Sequence, residues 1–191
     1  MITNGSNMSV GQCPAGLIYS PMGTFAPPSP DKTYFQVEPY CWALINKETV
    51  TTVKSTEDKL KEFIPTDNEQ QAMDGINALR KQLGLSQLTL NKRLALAARQ
   101  HAEYIRTSGD ASHVGGNPAG RTPRDRVNKV GYRAGTIGEN LAAYRQGYSP
   151  TAILYAWYYS PSHKEAMIDP RWRVMGIGDS GVAWVVLFGD T

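Results

Sequence analysis

The sequence predicts an α+β fold, on three observations. Several segments open on a capping residue and continue with apolar residues at helical spacing. Two apolar segments near the C-terminus flank Asp179-Ser180-Gly181 as the arms of a hairpin would. Helices mixed with a small antiparallel sheet then imply layers of helix packed on sheet.

The elements follow in chain order. Residues 1–33 are rich in Pro, Gly, Ser and Asn, and Pro14, Pro21, Pro27, Pro28 and Pro30 forbid a long helix. This part reads as an extended arm. Tyr34–Val37 and Tyr40–Ile45 are aromatic and β-branched and read as short strands. Asn46-Lys47-Glu48 is placed to turn the chain into Thr49–Val53, giving a small β-hairpin. Ser55, with Asp58 three residues on, caps a short helix expected to carry Leu60, Phe63 and Ile64 inward. Pro65 marks a boundary, so the chain divides into an extension over 1–65 and a domain over 66–191.

The domain opens with Thr66-Asp67-Asn68-Glu69, a capping box. Ala72, Ile76, Leu79 and Leu83 then keep a helical period, and Gly84 stops it. Asn91 opens a second helix with Leu94, Ala97, Ala98, His101, Ala102 and Ile105 on one face. Thr122-Pro123, Ser149-Pro150 and Ser160-Pro161 each start a further short helix, with proline at the first helical position. The helix from Pro150 carries Ile153, Leu154 and Trp157. Glu139–Tyr144 reads as a strand. Trp172–Gly178 and Val182–Phe188 read as the closing hairpin.

Composition narrows the function classes. The chain has 191 residues and a net charge of +3. Its one basic cluster, Arg121, Arg124, Arg126, Lys129 and Arg133, lacks the dense stripe and known module of a nucleic-acid binder, and reads as solvated helix and loop surface. No apolar run of about 18 residues occurs, so no transmembrane segment is expected. The N-terminus has neither a basic nor an apolar region of signal-peptide type. The two cysteines, Cys13 and Cys41, lie far apart with no histidine nearby. That argues against a redox or metal site and for a structural disulfide, as exported proteins form.

Three histidines are present, and two of them fall in a spaced constellation. It runs Ser112-His113, Gly138-Glu139-Asn140 and Trp157-Tyr158-Tyr159-Ser160-Pro161-Ser162-His163, with Gly131-Tyr132 and Gly176-Ile177-Gly178 in the expected order. Over roughly residues 67–189 this resembles the CAP superfamily (SCP/TAPS), and its bacterial branch more than its animal and plant branch. The resemblance implies a three-layer α-β-α sandwich. It also implies that His113, Glu139 and His163 surround one open cleft, and that His113 and His163 can be metal ligands, as the matching histidines are in some members. Animal and plant members carry a second glutamate where this chain has Ser160, so a mechanism needing two glutamates is in doubt here.

The residues support that reading on their own terms, with an alternative beside it. His163 stands third in a helix opened by Ser160-Pro161, where the helix field favours a neutral ring. His113 follows a helix end and a flexible Gly-Asp-Ala-Ser segment. Glu139 is placed to bond a histidine and fix its tautomer. Two neutral imidazoles with an open position suit zinc or another divalent metal. Two histidines are nevertheless one ligand short of an ordinary zinc site, and both can equally be hydrogen-bonded scaffolding. Ser160 reads as a helix cap before a nucleophile, and His101 as a core histidine donating to a backbone carbonyl.

Three function classes follow. The leading one is an exported binding module whose His/Glu cleft holds a divalent metal or a small amphipathic or cell-envelope ligand. The second is a hydrolase of peptide or cell-wall substrates, with His113, Glu139 and His163 as catalytic groups. The third is a subunit of an extracellular assembly, such as a phage particle or surface appendage, contacting neighbouring subunits through residues 1–65. All three place the protein outside the cell or on a virion or other surface, without nucleic acid.

Overall fold

Proline- and glycine-bounded segments set the element lengths in a computed structural model of the chain. The structure describes residues 55–133 and 135–191, and before them the backbone of three strands, Ile18–Tyr19 (β1), Tyr34–Glu38 (β2) and Cys41–Leu44 (β3). These strands form an antiparallel sheet in the order β1-β3-β2, with Ile18 opposite Trp42 and Tyr34 opposite Leu44. The expected turn at Asn46-Lys47-Glu48, its return strand Thr49–Val53 and the Cys13–Cys41 pairing lie outside the described residues. The chain divides into two units, Met1–Val53 and Lys54–Thr191.

The second unit begins with Thr56–Lys61 (α1), Asp67–Gln82 (α2), Thr89–Leu90 (β4) and Lys92–Ser108 (α3). It continues with Pro123–Lys129 (α4), Ile137–Ala143 (β5), Pro150–Tyr158 (α5) and Pro161–Ile168 (α6), and closes with Val174–Asp179 (β6) and Ala183–Gly189 (β7). The caps are the ones the sequence signals. In α2 the Thr66 hydroxyl accepts from the Glu69 N–H at 3.2 Å while the Glu69 carboxylate accepts from the Thr66 N–H at 2.8 Å. Asn91, Thr122 and Ser149 cap α3, α4 and α5 through their side chains.

The sheet runs β4-β6-β7-β5. β7 pairs antiparallel with β5 and β6, and β4 adds a parallel edge to β6. Two residues of β4 are too short a run to give a strand signal in sequence. β7 is buried at every position, as a central strand covered on both faces must be. Its side chains alternate between two cores. Ala183, Val185 and Leu187 join the core built with Leu94, Ala97, Ala98 and Ile105 of α3. Trp184, Val186 and Phe188 join the core built with Ala72 and Ile76 of α2, Ile153 and Trp157 of α5 and Met167 of α6. The result is the expected α+β sandwich, with α3 and α4 on one face and α2, α5 and α6 on the other.

Gly176 and Gly178 explain how α3 lies so close. A Cβ on Gly176 would stand 2.0 Å from the Ala95 backbone N, and one on Gly178 2.2 Å from the Arg99 backbone N. The intervening Ile177 points into the opposite core.

One inward expectation does not hold. Ile64 is 76% exposed, because α1 ends at Lys61 and its helical projection no longer applies. Leu60 and Phe63 are buried as expected, with the Arg99 guanidinium 4.0 Å over the Phe63 ring. Leu83 is 51% exposed at the C-cap of α2. The inward place at that end belongs to Arg80, which donates to the carbonyls of Ser86, Met167 and Asp169 at 2.8, 2.9 and 3.0 Å.

Candidate functional site

β5 is the sheet's edge strand, and two adjacent residues on it face opposite ways. Glu139 lies on the α4 side, with its side chain only 2% exposed. Asn140 lies on the α6 side, where its amide donates to the His163 carbonyl at 2.8 Å. Gly-Glu-Asn thus reaches a histidine segment on each side of one strand.

His113 sits in the loop after α3, which ends at Gly109 in the left-handed region at φ 74°. Its Nδ1 is 2.8 Å from the Glu139 carboxylate. A carboxylate can only accept, so Nδ1 carries the proton and the neutral ring keeps its lone pair on Nε2. The His113 side chain is half exposed, which leaves the ring open to solvent on one side.

His163 occupies the third position of α6, after Ser160 and Pro161. Burial first, and then the proximity of His113, lower its pKa from the ordinary value, so the ring is held neutral. Among the described residues its imidazole makes no hydrogen bond. Ser160 does stand at the N-cap, but its hydroxyl makes no capping bond. The helix start is carried instead by its carbonyl, which accepts from the Lys164 N–H at 2.8 Å.

Arg126 is the residue that sequence reasoning missed. It falls in the basic cluster expected to be solvated, yet it is 0% exposed. Its guanidinium donates to both Glu139 oxygens, at 2.7 and 2.9 Å, to the His113 carbonyl at 3.2 Å and to the Gly120 carbonyl at 3.3 Å. The available signal was its spacing: Val130, four residues on, is buried on the same helical face. A buried carboxylate such as Glu139 also needs a partner of opposite charge.

His101 supports the same loop from beneath. The Asn117 carbonyl oxygen accepts from the Ala119 N–H at 2.8 Å, which turns the Asn117 amide toward His101 Nδ1 at 2.9 Å. His101 Nε2 therefore carries the proton and donates to the Ser112 carbonyl at 3.2 Å. Burial, then the Arg126 charge, lowers its pKa, against smaller opposing pulls from Glu139 and the Ser112 carbonyl.

Trp157 is fully buried, while Tyr155, Tyr158 and Tyr159 are exposed. Those three tyrosines, with Gly75, Leu79 and Leu154, line a groove of about 350 Å³ between α2 and α5.

The residues fit a divalent metal only in a limited way. His113 Nε2 and the neutral His163 ring offer two imidazole lone pairs. The Glu139 oxygens are taken up by Arg126 and His113. Among the described residues no group of three His, Cys, Asp or Glu side chains is placed to hold a metal. A closed tetrahedral zinc centre is therefore not built here, whereas a pair of imidazoles completed by water or ligand atoms is compatible with the donors present.

Comparison with known proteins bears on the family and the fold. A model of the CAP family, described as the cysteine-rich secretory protein family, matches residues 73–186. YkwD of Bacillus subtilis is 26% identical over 122 residues, covering 63% of this chain and 46% of YkwD. An extracellular protein of Bacillus anthracis that contains an SCP domain superposes with a TM-score of 0.62 at 25% identity, covering 72% of this chain and 45% of that protein. An outer surface protein of Borrelia burgdorferi superposes with a TM-score of 0.56 at 28% identity, covering 66% of this chain and 95% of that protein. The chain thus spans less than half the length of the two Bacillus proteins.

Proposed function

Because the chain belongs to the CAP family, the cysteine-rich secretory protein family, we propose that it is an extracellular binding module whose cleft takes a divalent transition metal on His113 and His163. The location rests on its likeness to an extracellular protein and an outer surface protein. Bound there, the metal would supply a Lewis-acidic centre for a further ligand.

One observation carries the choice of binding over hydrolysis. The Glu139 carboxylate accepts from Arg126 on both oxygens and from His113 on one. A general base must present a free lone pair to the proton it abstracts. Glu139 instead acts as the orienter that aims His113 Nε2 outward, as carboxylates behind metal-binding histidines do. Ser160 has no bond to His163 or Glu139 among the described residues and gives no activated nucleophile. The groove beside Tyr155, Tyr158 and Tyr159 supports a second reading, in which a small amphipathic ligand occupies that aromatic surface.

The test is zinc affinity, measured by competition with a chromophoric chelator on protein freed of metal. His113→Ala and His163→Ala should each weaken binding by at least the roughly 10–100-fold that loss of a supporting residue alone can cost. Unaltered affinity in either variant would count against the site. So would cleavage of peptide or cell-wall fragments that disappears in Glu139→Gln.

A further inference from the structure

We infer that Arg126 is a positioning residue for the His113–Glu139 pair: one buried guanidinium ties the Glu139 carboxylate on β5 to the main chain of the loop that presents His113. The inference deepens the proposed binding site and, for its metal consequence, rests on that reading.

The geometry is specific. Two separate segments meet on Arg126. From β5 comes the Glu139 carboxylate, held on both oxygens at 2.7 and 2.9 Å. From the loop come the carbonyls of His113 and Gly120, at 3.2 and 3.3 Å. The His113 ring and the His113 main chain are thereby referred to the same cation, the ring through Glu139 and the backbone directly. Nη2 meets both Glu139 oxygens and the His113 carbonyl, and Nη1 meets the Gly120 carbonyl, so two nitrogens of one planar group share the set; an ammonium is a single point charge with a different reach.

The loop is built around this contact. Gly120 has a φ of 147°, and a Cβ there would stand 2.5 Å from the Arg126 backbone N. Thr122 and Asp125 cap α4 reciprocally, which fixes the helix that carries Arg126. Arg126 Nε finds no partner among the described residues, so the side chain is not optimised as a buried ion. A buried ion pair is commonly no more stable than apolar residues of the same volume. Its presence here is accounted for by where it holds Glu139 and His113, not by stability.

The experiment reads the tautomer of His113 in metal-free protein, from the imidazole nitrogen chemical shifts at mildly alkaline pH. Wild type should show the Nδ1–H form. Arg126→Met should move the ring substantially toward the Nε2–H form that unconstrained histidine favours. Arg126→Lys should rescue only in part, because it keeps the charge but offers one nitrogen where Arg126 uses Nη1 and Nη2. Arg126→Met leaves Glu139 buried and unpaired and can fail to fold, so Arg126→Met/Glu139→Gln is measured with it, which leaves no unpaired buried charge. If Arg126 acts through Glu139, the double variant shifts the tautomer no further than Glu139→Gln alone. A folded Arg126→Met protein that keeps the wild-type tautomer would overturn the inference, as would a double variant that shifts it well beyond Glu139→Gln. Zinc affinity in Arg126→Met should fall roughly 10–100-fold. If wild type binds no zinc, the metal reading fails while the tautomer still decides the role of Arg126.

Discussion

His101 and His163 are both held neutral, each chiefly by burial, and this gives the fold a defined response to acid. Their folded pKa values lie below the ordinary 6.5. As pH falls below that value the unfolded chain takes up protons that the native state refuses, so stability drops with pH. The loss begins near the ordinary value, continues down to the lowered folded values and then levels off. The depressed carboxylates, such as Asp169 beside Arg171, lose their contribution only at more acidic pH, from the ordinary carboxylate value down to the lowered one. Thermal unfolding followed against pH should show this first decline, and His101→Gln should flatten part of it despite lowering stability at neutral pH. A slope unchanged in His101→Gln would show that His101 protonates as freely as in the unfolded chain. At this scale the sequence showed the polar residues whose spacing is distinctive: His113, Glu139, His163 and the inward His101. It hid Arg126, because an arginine among other basic residues looks solvated unless the carboxylate it meets from another element is known.

Elements were legible wherever the chain announces its own ends. Thr66, Asn91, Thr122 and Ser149 each cap the helix expected of them. The closing hairpin forms at the predicted place, with Gly181 at a φ of 85° in its loop. Legibility failed at the end of α1, where the expected helix carries Ile64 inward but has already stopped at Lys61. It failed also for β4, whose pairing depends on a strand more than eighty residues away. The close approach of α3 to β6 is the element-scale feature most sensitive to substitution. Gly176→Ala or Gly178→Ala would drive a methyl against helix backbone, which cannot move aside as a side-chain tip can. Each should destabilise the unit by about 3 kcal/mol, at the upper end of ordinary overpacking. Chemical denaturation would measure it, and a cost near zero would mean that α3 can lift from the sheet without loss.

At the scale of the whole molecule, His113, Glu139 and His163 all belong to the unit Lys54–Thr191. That unit includes α1, because Leu60 joins the core against α3. It has its own caps, two cores and a covered central strand, so it should fold and carry the site without residues 1–53. Attachment to neighbouring subunits, if residues 1–65 serve it, would then be separable from binding in the cleft. The fold class could be read because helix and strand periods are local. The pairing of His113 with Glu139 and Arg126 could not be read in full, because it is made between a loop, a helix and a strand whose mutual placement no local period fixes. The most direct measurement titrates zinc into both the full chain and the isolated Lys54–Thr191 unit while following the ring resonances of all three histidines. His113 and His163 should shift together and saturate at one equivalent in both proteins, with His101 unmoved. A response from one ring alone, from neither, or from His113 and His163 at different equivalents would contradict a shared two-imidazole site.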